Sequence, residues 1–218
     1  MPSDADRRRL TLALAIVVGF MAIEVVAGVI ASSLALLSDA AHMLTDAGAI
    51  TLALVAARLA ARPPRGPVTF GLGRAEVLSA QINGAVLLAL AGVIAWEAGQ
   101  RIVDPPEVAG VIVIVVGAAG AIANIASAWA LSKAERQSLS VEGAMAHMLA
   151  DLYGSVAVMV AGILIVITGV GEIDGIAALV VAGLMIHSGW RLLRDASRVL
   201  LEASPQGVDP ERIGRDER

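Results

Sequence analysis

The chain has no cysteine, which excludes disulfides and any thiolate metal site. Charge is also scarce. Only 17% of the 218 residues are Asp, Glu, Lys or Arg, while 57% are hydrophobic and the mean hydropathy is +0.79. Soluble domains are nearer about 45–50% apolar, so composition points away from water and toward lipid. The apolar stretches show neither a period of two nor a hairpin pattern, which argues against a membrane β-barrel. The net charge of −4 says little by itself, because in a membrane protein the placement of charge matters more.

What is present is a series of apolar runs, at 10–30, 34–57, 75–99, 108–131, 143–170 and 173–190. Each is close to the ~20 residues that cross a hydrocarbon core ~30 Å thick. The expected fold is therefore an all-α membrane protein with six transmembrane helices, forming one domain over 1–203. Arg7, Arg8 and Arg9 precede the first run as they would a signal peptide. Its apolar core is too long for one, however, and no A-x-A site closes it.

The connections are polar or proline-bearing. Arg62-Pro63-Pro64-Arg65-Gly66-Pro67 cannot be helical and links runs 2 and 3; Asp104-Pro105-Pro106 closes run 3; residues 132–142 form a polar linker. With six spans, one side of the membrane holds Arg7–Arg9, Arg58, Arg62, Arg65, Arg74, Lys133, Arg136 and the arginines from Arg191 onward. The other side holds Arg101. Lys and Arg concentrate in cytoplasmic loops, so both termini are expected in the cytoplasm. The outer loops, 31–33, 104–107 and 171–174, are short and acidic or neutral.

One five-residue pattern occurs twice inside apolar runs: His42-Met43-Leu44-Thr45-Asp46 and His147-Met148-Leu149-Ala150-Asp151. On a helix, positions i and i+4 share a face, so each copy offers an imidazole and a carboxylate together. Ionisable side chains inside a span are expensive and functional by default. Runs 2 and 5 cross in opposite directions, so the pairs can face each other. His42, Asp46, His147 and Asp151 then make four ligands, the number a tetrahedral zinc ion takes. Two carboxylates and two neutral imidazoles carry −2, which cancels a divalent cation; empty, the like charges repel unless protonated. Metal release and proton uptake are thus expected to be linked, and histidine titrates in the right range. Imidazole with carboxylate suits zinc better than cadmium, magnesium or manganese. The plainer reading is that each pair hydrogen-bonds neighbouring helices. His147 lies nearer the start of its run than His42 does, so either span 5 begins earlier than hydropathy suggests or a water-filled cavity reaches the site from the cytoplasm.

Other polar residues in the runs have several readings. Asp39 shares the face of His42 and Asp46, and is a loading or release carboxylate, a partner orienting an imidazole, or a carboxylate meeting water at the outer interface. Glu24 lies toward the outer end of run 1, as an accessory group or a snorkelling side chain. Gln81, Asn83 and Asn124 are expected to hydrogen-bond between helices, Asn83 also being a candidate accessory residue. Glu97 and Arg101 fit an i,i+4 interfacial pair. His187 stands alone and is not expected to be a ligand. Trp96, Trp129 and Trp190 sit near span ends, as interfacial aromatics do.

The stretch Ser38-Asp39-Ala40-Ala41-His42-Met43-Leu44-Thr45-Asp46 resembles the second-helix signature of the cation diffusion facilitator family. Phe70-Gly71-Leu72-Gly73-Arg74-Ala75-Glu76-Val77 resembles its lead into helix 3. Ser138-Leu139-Ser140-Val141-Glu142-Gly143-Ala144, followed by His147 and Asp151, resembles its helix 5. Ile173-Asp174-Gly175 and Ser188-Gly189-Trp190-Arg191-Leu192-Leu193 resemble its helix 6. The resemblance implies a cation efflux transmembrane domain in a homodimer, working as a zinc/proton antiporter that exports metal from the cytoplasm. Its transport-site positions fall on His42, Asp46, His147 and Asp151, with zinc as cargo and protons as counter-ion. Histidine on both helices is the mark of the zinc-transporting branch; manganese-handling relatives typically lack that pairing. The expected setting is the lipid bilayer of the bacterial cytoplasmic (inner) membrane, crossed several times, with no nucleic-acid partner. Family members usually continue into a cytoplasmic α+β domain, and residues 204–218 read as its truncated start. A His-rich loop between spans 4 and 5, seen in some relatives, is absent. Two other classes are open to a membrane protein with such a cluster: a non-transporting metal-sensing or dimerisation subunit, and an intramembrane metalloenzyme. The second needs an open metal position and a base; H-E-x-x-H is missing, and four ligands would close the shell.

Overall fold

The computed structural model describes residues 4–60, 75–132 and 139–201. These form six helices: α1 (Asp4–Ala31), α2 (Leu34–Ala60), α3 (Ala75–Val103), α4 (Gly110–Ser132), α5 (Leu139–Thr168) and α6 (Glu172–Leu200). No strand occurs among the described residues. The proline-bearing link 62–67, the linker core 133–138 and the tail 204–218 lie outside them.

Helix limits follow local chemistry. Ser33 starts α2 by accepting the Leu36 N–H on its hydroxyl oxygen at 3.2 Å, an N-cap bond. Pro105 and Pro106 follow α3, whose last residue is Val103. Gly169 ends α5 with φ +72°, the left-handed conformation glycine adopts without a Cβ clash, and its N–H donates to the Ile165 carbonyl at 2.8 Å. α5 begins at Leu139, earlier than the apolar run that starts at 143; the helix extends through residues too polar for the hydropathy reading. Three stretches among the described residues are long and apolar enough to cross a membrane: Val77–Val103, Asp151–Thr168 and Glu172–Leu200. Val18–Ala31 and Gly110–Ala126 are shorter apolar pieces.

α3 packs along α6, and α4 along α5. Small residues allow this. A Cβ added at Gly117 would stand 2.8 Å from the Met159 backbone nitrogen, and one at Gly84 3.1 Å from the Gly189 carbonyl oxygen. Alanines dominate the rest of the core, among them Ala35, Ala91, Ala98, Ala161 and Ala178. Lipid gives helices no hydrophobic reason to associate, so close backbone approach over small residues is what holds such bundles. Large apolar side chains such as Val93, Ile122 and Ile167 point outward instead. α2 lies against α1, α3 and α6, and touches α5 over a short stretch. That short stretch carries the polar cluster.

Candidate metal centre

α2 and α5 supply the cluster. His42 and Asp46 are one turn apart on α2, and Asp151 comes from α5. His42 Nε2 stands 3.7 Å from Asp46 Oδ2 and 3.4 Å from Asp151 Oδ1. One ligand atom from each of the three lies within 4.8 Å of the others. A tetrahedral zinc ion with bonds of about 2.0–2.1 Å spaces its ligand atoms about 3.3–3.4 Å apart. The separation across the two helices already has that value, and the separation along α2 is a few tenths wider. The set is one borderline nitrogen and two hard oxygens, carrying two negative charges when the carboxylates are ionised. It therefore suits a divalent cation of zinc's type.

His147 occupies α5 four residues before Asp151; its side chain lies outside the described residues. The structure thus brings together three of the four ligands expected from the duplicated pattern. Burial around them is graded. His42 is buried, whereas the Asp46 and Asp151 side chains are 23% and 24% exposed. Toward the start of α2 everything closes: Ser38 is fully buried and Asp39 nearly so.

Asp39 stands outside the three-residue group. It accepts the Ser155 hydroxyl of α5 at 3.3 Å, and Ser155 accepts the Asn124 side-chain amide of α4 at 3.2 Å. Asp39 therefore links α2 to α5 beside the cluster and does not meet water. Glu24 is fully buried, not snorkelled, with its carboxyl group beside that of Asp39. Asn83 is buried on α3. Gln81 donates to Ser197 at 3.2 Å, joining α3 to α6 as an inter-helix polar contact. The Glu97–Arg101 pair forms at 3.4 Å. His187 is exposed on α6, and Trp96, Trp129 and Trp190 are exposed as well.

Asp174 makes inter-helix bonds that its place in the outer loop 171–174 does not suggest. This carboxylate, 1% exposed on the first turn of α6, accepts the Ser33 hydroxyl at 2.5 Å and the Leu34 N–H at 2.6 Å. A lone carboxylate at the start of an apolar run was the available signal, but it looked like a loop residue.

Residues 10–201 match the model of the cation efflux transmembrane domain. The zinc transporter ZitB of Yersinia pestis is 41% identical over 98% of this chain and 69% of its own. The metal cation efflux system protein CzcD of Cupriavidus metallidurans is 40% identical over 94% of this chain and 65% of its own. The cadmium, cobalt and zinc/H(+)-K(+) antiporter of Bacillus subtilis is 36% identical over 94% and 67%.

Proposed function

The chain belongs to the cation efflux family, a family of transporters and not of enzymes, and on that premise we propose that it is a zinc/proton antiporter whose ion sits between α2 and α5. Zinc is the cargo named for the ZitB relatives, and proton exchange is named for the Bacillus relative. The observation that carries the reading is the 3.4 Å approach of His42 Nε2 to Asp151 Oδ1 from two different helices. An imidazole and two carboxylates from separate helices define a point that moves when the helices move, as alternating access requires. In this reading His147 completes the tetrahedron, and Asp39 and Glu24 are accessory carboxylates on the ion's path. Both termini lie in the cytoplasm, residues 204–218 begin a cytoplasmic domain, and the working unit is a homodimer in the bacterial inner membrane.

Energetics favour exchange over simple leak. Moving two positive charges outward against an inside-negative potential of 100 mV costs about 4.6 kcal/mol, at about 2.3 per charge. Returning one proton per zinc halves the charge moved and draws on the proton gradient. The ligands supply the coupling, because protons and zinc compete for the same lone pairs.

The test is zinc flux in proteoliposomes at clamped membrane potential with an imposed pH difference. Protons displace metal on the acidic side and the freed site reloads on the other, so zinc accumulates in the acidic compartment. Flux that ignores the pH difference overturns antiport.

A further inference from the structure

The Asp174 carboxylate does more than occupy a turn. It binds the N-terminus of α2 from another helix. Its two oxygens take the Ser33 hydroxyl at 2.5 Å and the Leu34 N–H at 2.6 Å. The positive end of the α2 dipole and its unpaired first N–H groups favour a carboxylate there. Arg101 of α3 adds a third tie. Its Nη1 donates to the Ser32 carbonyl at 2.6 Å and stands 3.9 Å from Asp174 Oδ2. Ser32 itself has φ +54°, an uncommon conformation for a residue with a side chain. Such a residue persists where its surroundings over-determine it, and here α3 and α6 do so.

The tie acts on the helix that carries the cluster. His42 is eight residues beyond Leu34 on α2, about 12 Å at 1.5 Å per residue. Near the tie Ser33, Leu36 and Ser38 are fully buried; farther along, His42 is 8% exposed, Thr45 6% and the Asp46 side chain 23%. The cluster is therefore shut at the Asp174 end, opposite the chain termini, while Asp46 and Asp151 are partly exposed. α5 meets α2 over a short stretch, where the Asp39–Ser155 bond joins them at 3.3 Å, and the tie fixes the start of α2 against α6 and α3.

We propose that Asp174, with Ser33 and Arg101, is the latch that keeps the metal cluster closed at the end of the bundle opposite the termini. Asp174 is a positioning residue for transport: it must release the start of α2 before the ion can leave by that end. The inference rests on the reading of α2 and α5 as walls of a transport site.

Because the chain has no cysteine, single reporters test this cleanly. Ser38→Cys, on the closed side, is read in right-side-out spheroplasts with a membrane-impermeant maleimide. Gly48→Cys, where an added side chain meets nothing within 4 Å, is read in inverted vesicles. Asp174→Asn removes the charge while keeping the shape. The expected result is labelling of Ser38→Cys about tenfold faster, the scale of one lost hydrogen bond to a charged group, together with slower labelling of Gly48→Cys. Opposite changes are the mark of a latch. Faster labelling at both reporters shows a structural clamp whose loss merely loosens the bundle, and overturns the proposal; so does no change at either. Ser33→Ala, which keeps the Asp174 charge, decides the matter if Asp174→Asn does not fold, with the same opposite changes at smaller size expected and their absence overturning the proposal. Labelling requires no zinc flux, so a parent protein that fails to transport zinc defeats the antiport reading and leaves this result legible.

Discussion

Two acidic centres lie about 12 Å apart along α2, and they treat their carboxylates in opposite ways. At the start of the helix, Asp174 is surrounded by donors: a hydroxyl, a backbone N–H and a guanidinium. The protein itself supplies the positive charge, so nothing further is required and the carboxylate serves as an anchor. At the middle of the helix, His42 Nε2, Asp46 and Asp151 converge within 4.8 Å. Apart from one imidazole, that set offers only acceptors. Such a set suits a cation, whether a metal ion or protons. The difference teaches how to read intramembrane acid groups: the identity of the surrounding atoms, and not the mere presence of a carboxylate in a span, separates an anchor from a binding site.

The contrast breaks most visibly if a cluster ligand proves dispensable. Asp151→Ala removes the ligand that α5 contributes to the three-residue group. Zinc affinity of purified protein, measured by equilibrium dialysis, should fall by at least about a hundredfold, above the loss typical of outer-shell partners, and vesicle flux should fall with it. Unchanged stoichiometry, affinity and flux would make the cluster an inter-helix contact. His147→Ala probes the proposed fourth ligand in the same assay, where a loss of comparable size is expected.

Acidity sharpens the same distinction. Zinc takes the deprotonated ligands, so protons compete as pH falls. Through the histidine range, near about pH 6–7, affinity should drop by about tenfold per pH unit for each proton displaced. Calorimetric titrations in buffers of different ionisation enthalpy count those protons directly. A zinc affinity flat across that range would mean that no proton leaves the site on binding.

A smaller effect is expected on metal choice. His42→Asp replaces a nitrogen ligand by a third carboxylate, and imidazole is what favours zinc over harder or larger ions. Competition between zinc and cadmium should shift toward cadmium by about one order of magnitude, the scale of a single changed ligand contact. If the ratio stays put, selectivity lies outside the cluster.

Much of this architecture is legible in the residues. The apolar runs anticipate six helices, Asp104-Pro105-Pro106 marks the end of α3, and the i,i+4 spacing puts His42 and Asp46 on one face, because these depend on local chemistry. The inter-helix bonds of Gln81 and Asn124 also follow, since a polar side chain in a span must find a partner. What the sequence hid was long-range. Nothing local tells that Asp174 reaches a helix start 140 residues earlier, or that Arg101, already paired with Glu97 in sequence logic, extends to Ser32. The start of α5 at Leu139 agrees with the expectation, drawn from the place of His147, that span 5 begins before its apolar run: hydropathy tracks lipid, whereas helix formation continues into water as far as backbone propensity allows.

The smallest expected effect comes from the edge of the anchor. Arg101 Nε contacts Glu97 at 3.4 Å, but the Glu97 side chain is 49% exposed. A pair so open to solvent gains little, because water and salt screen it and two long side chains must be held still. Glu97→Gln should change stability by no more than about 0.5 kcal/mol, visible as an unshifted thermal melt in detergent. Arg101 keeps its bond to the Ser32 carbonyl and its place beside Asp174, so labelling of Ser38→Cys should also stay at the parent rate. Arg101→Gln gives the contrasting measurement, since it removes the tie to Ser32 and the positive charge nearest Asp174 together, and should speed that labelling. Equal effects from the two substitutions would show that Arg101 acts through Glu97, placing the anchor at the exposed interface instead of at the buried carboxylate of α6.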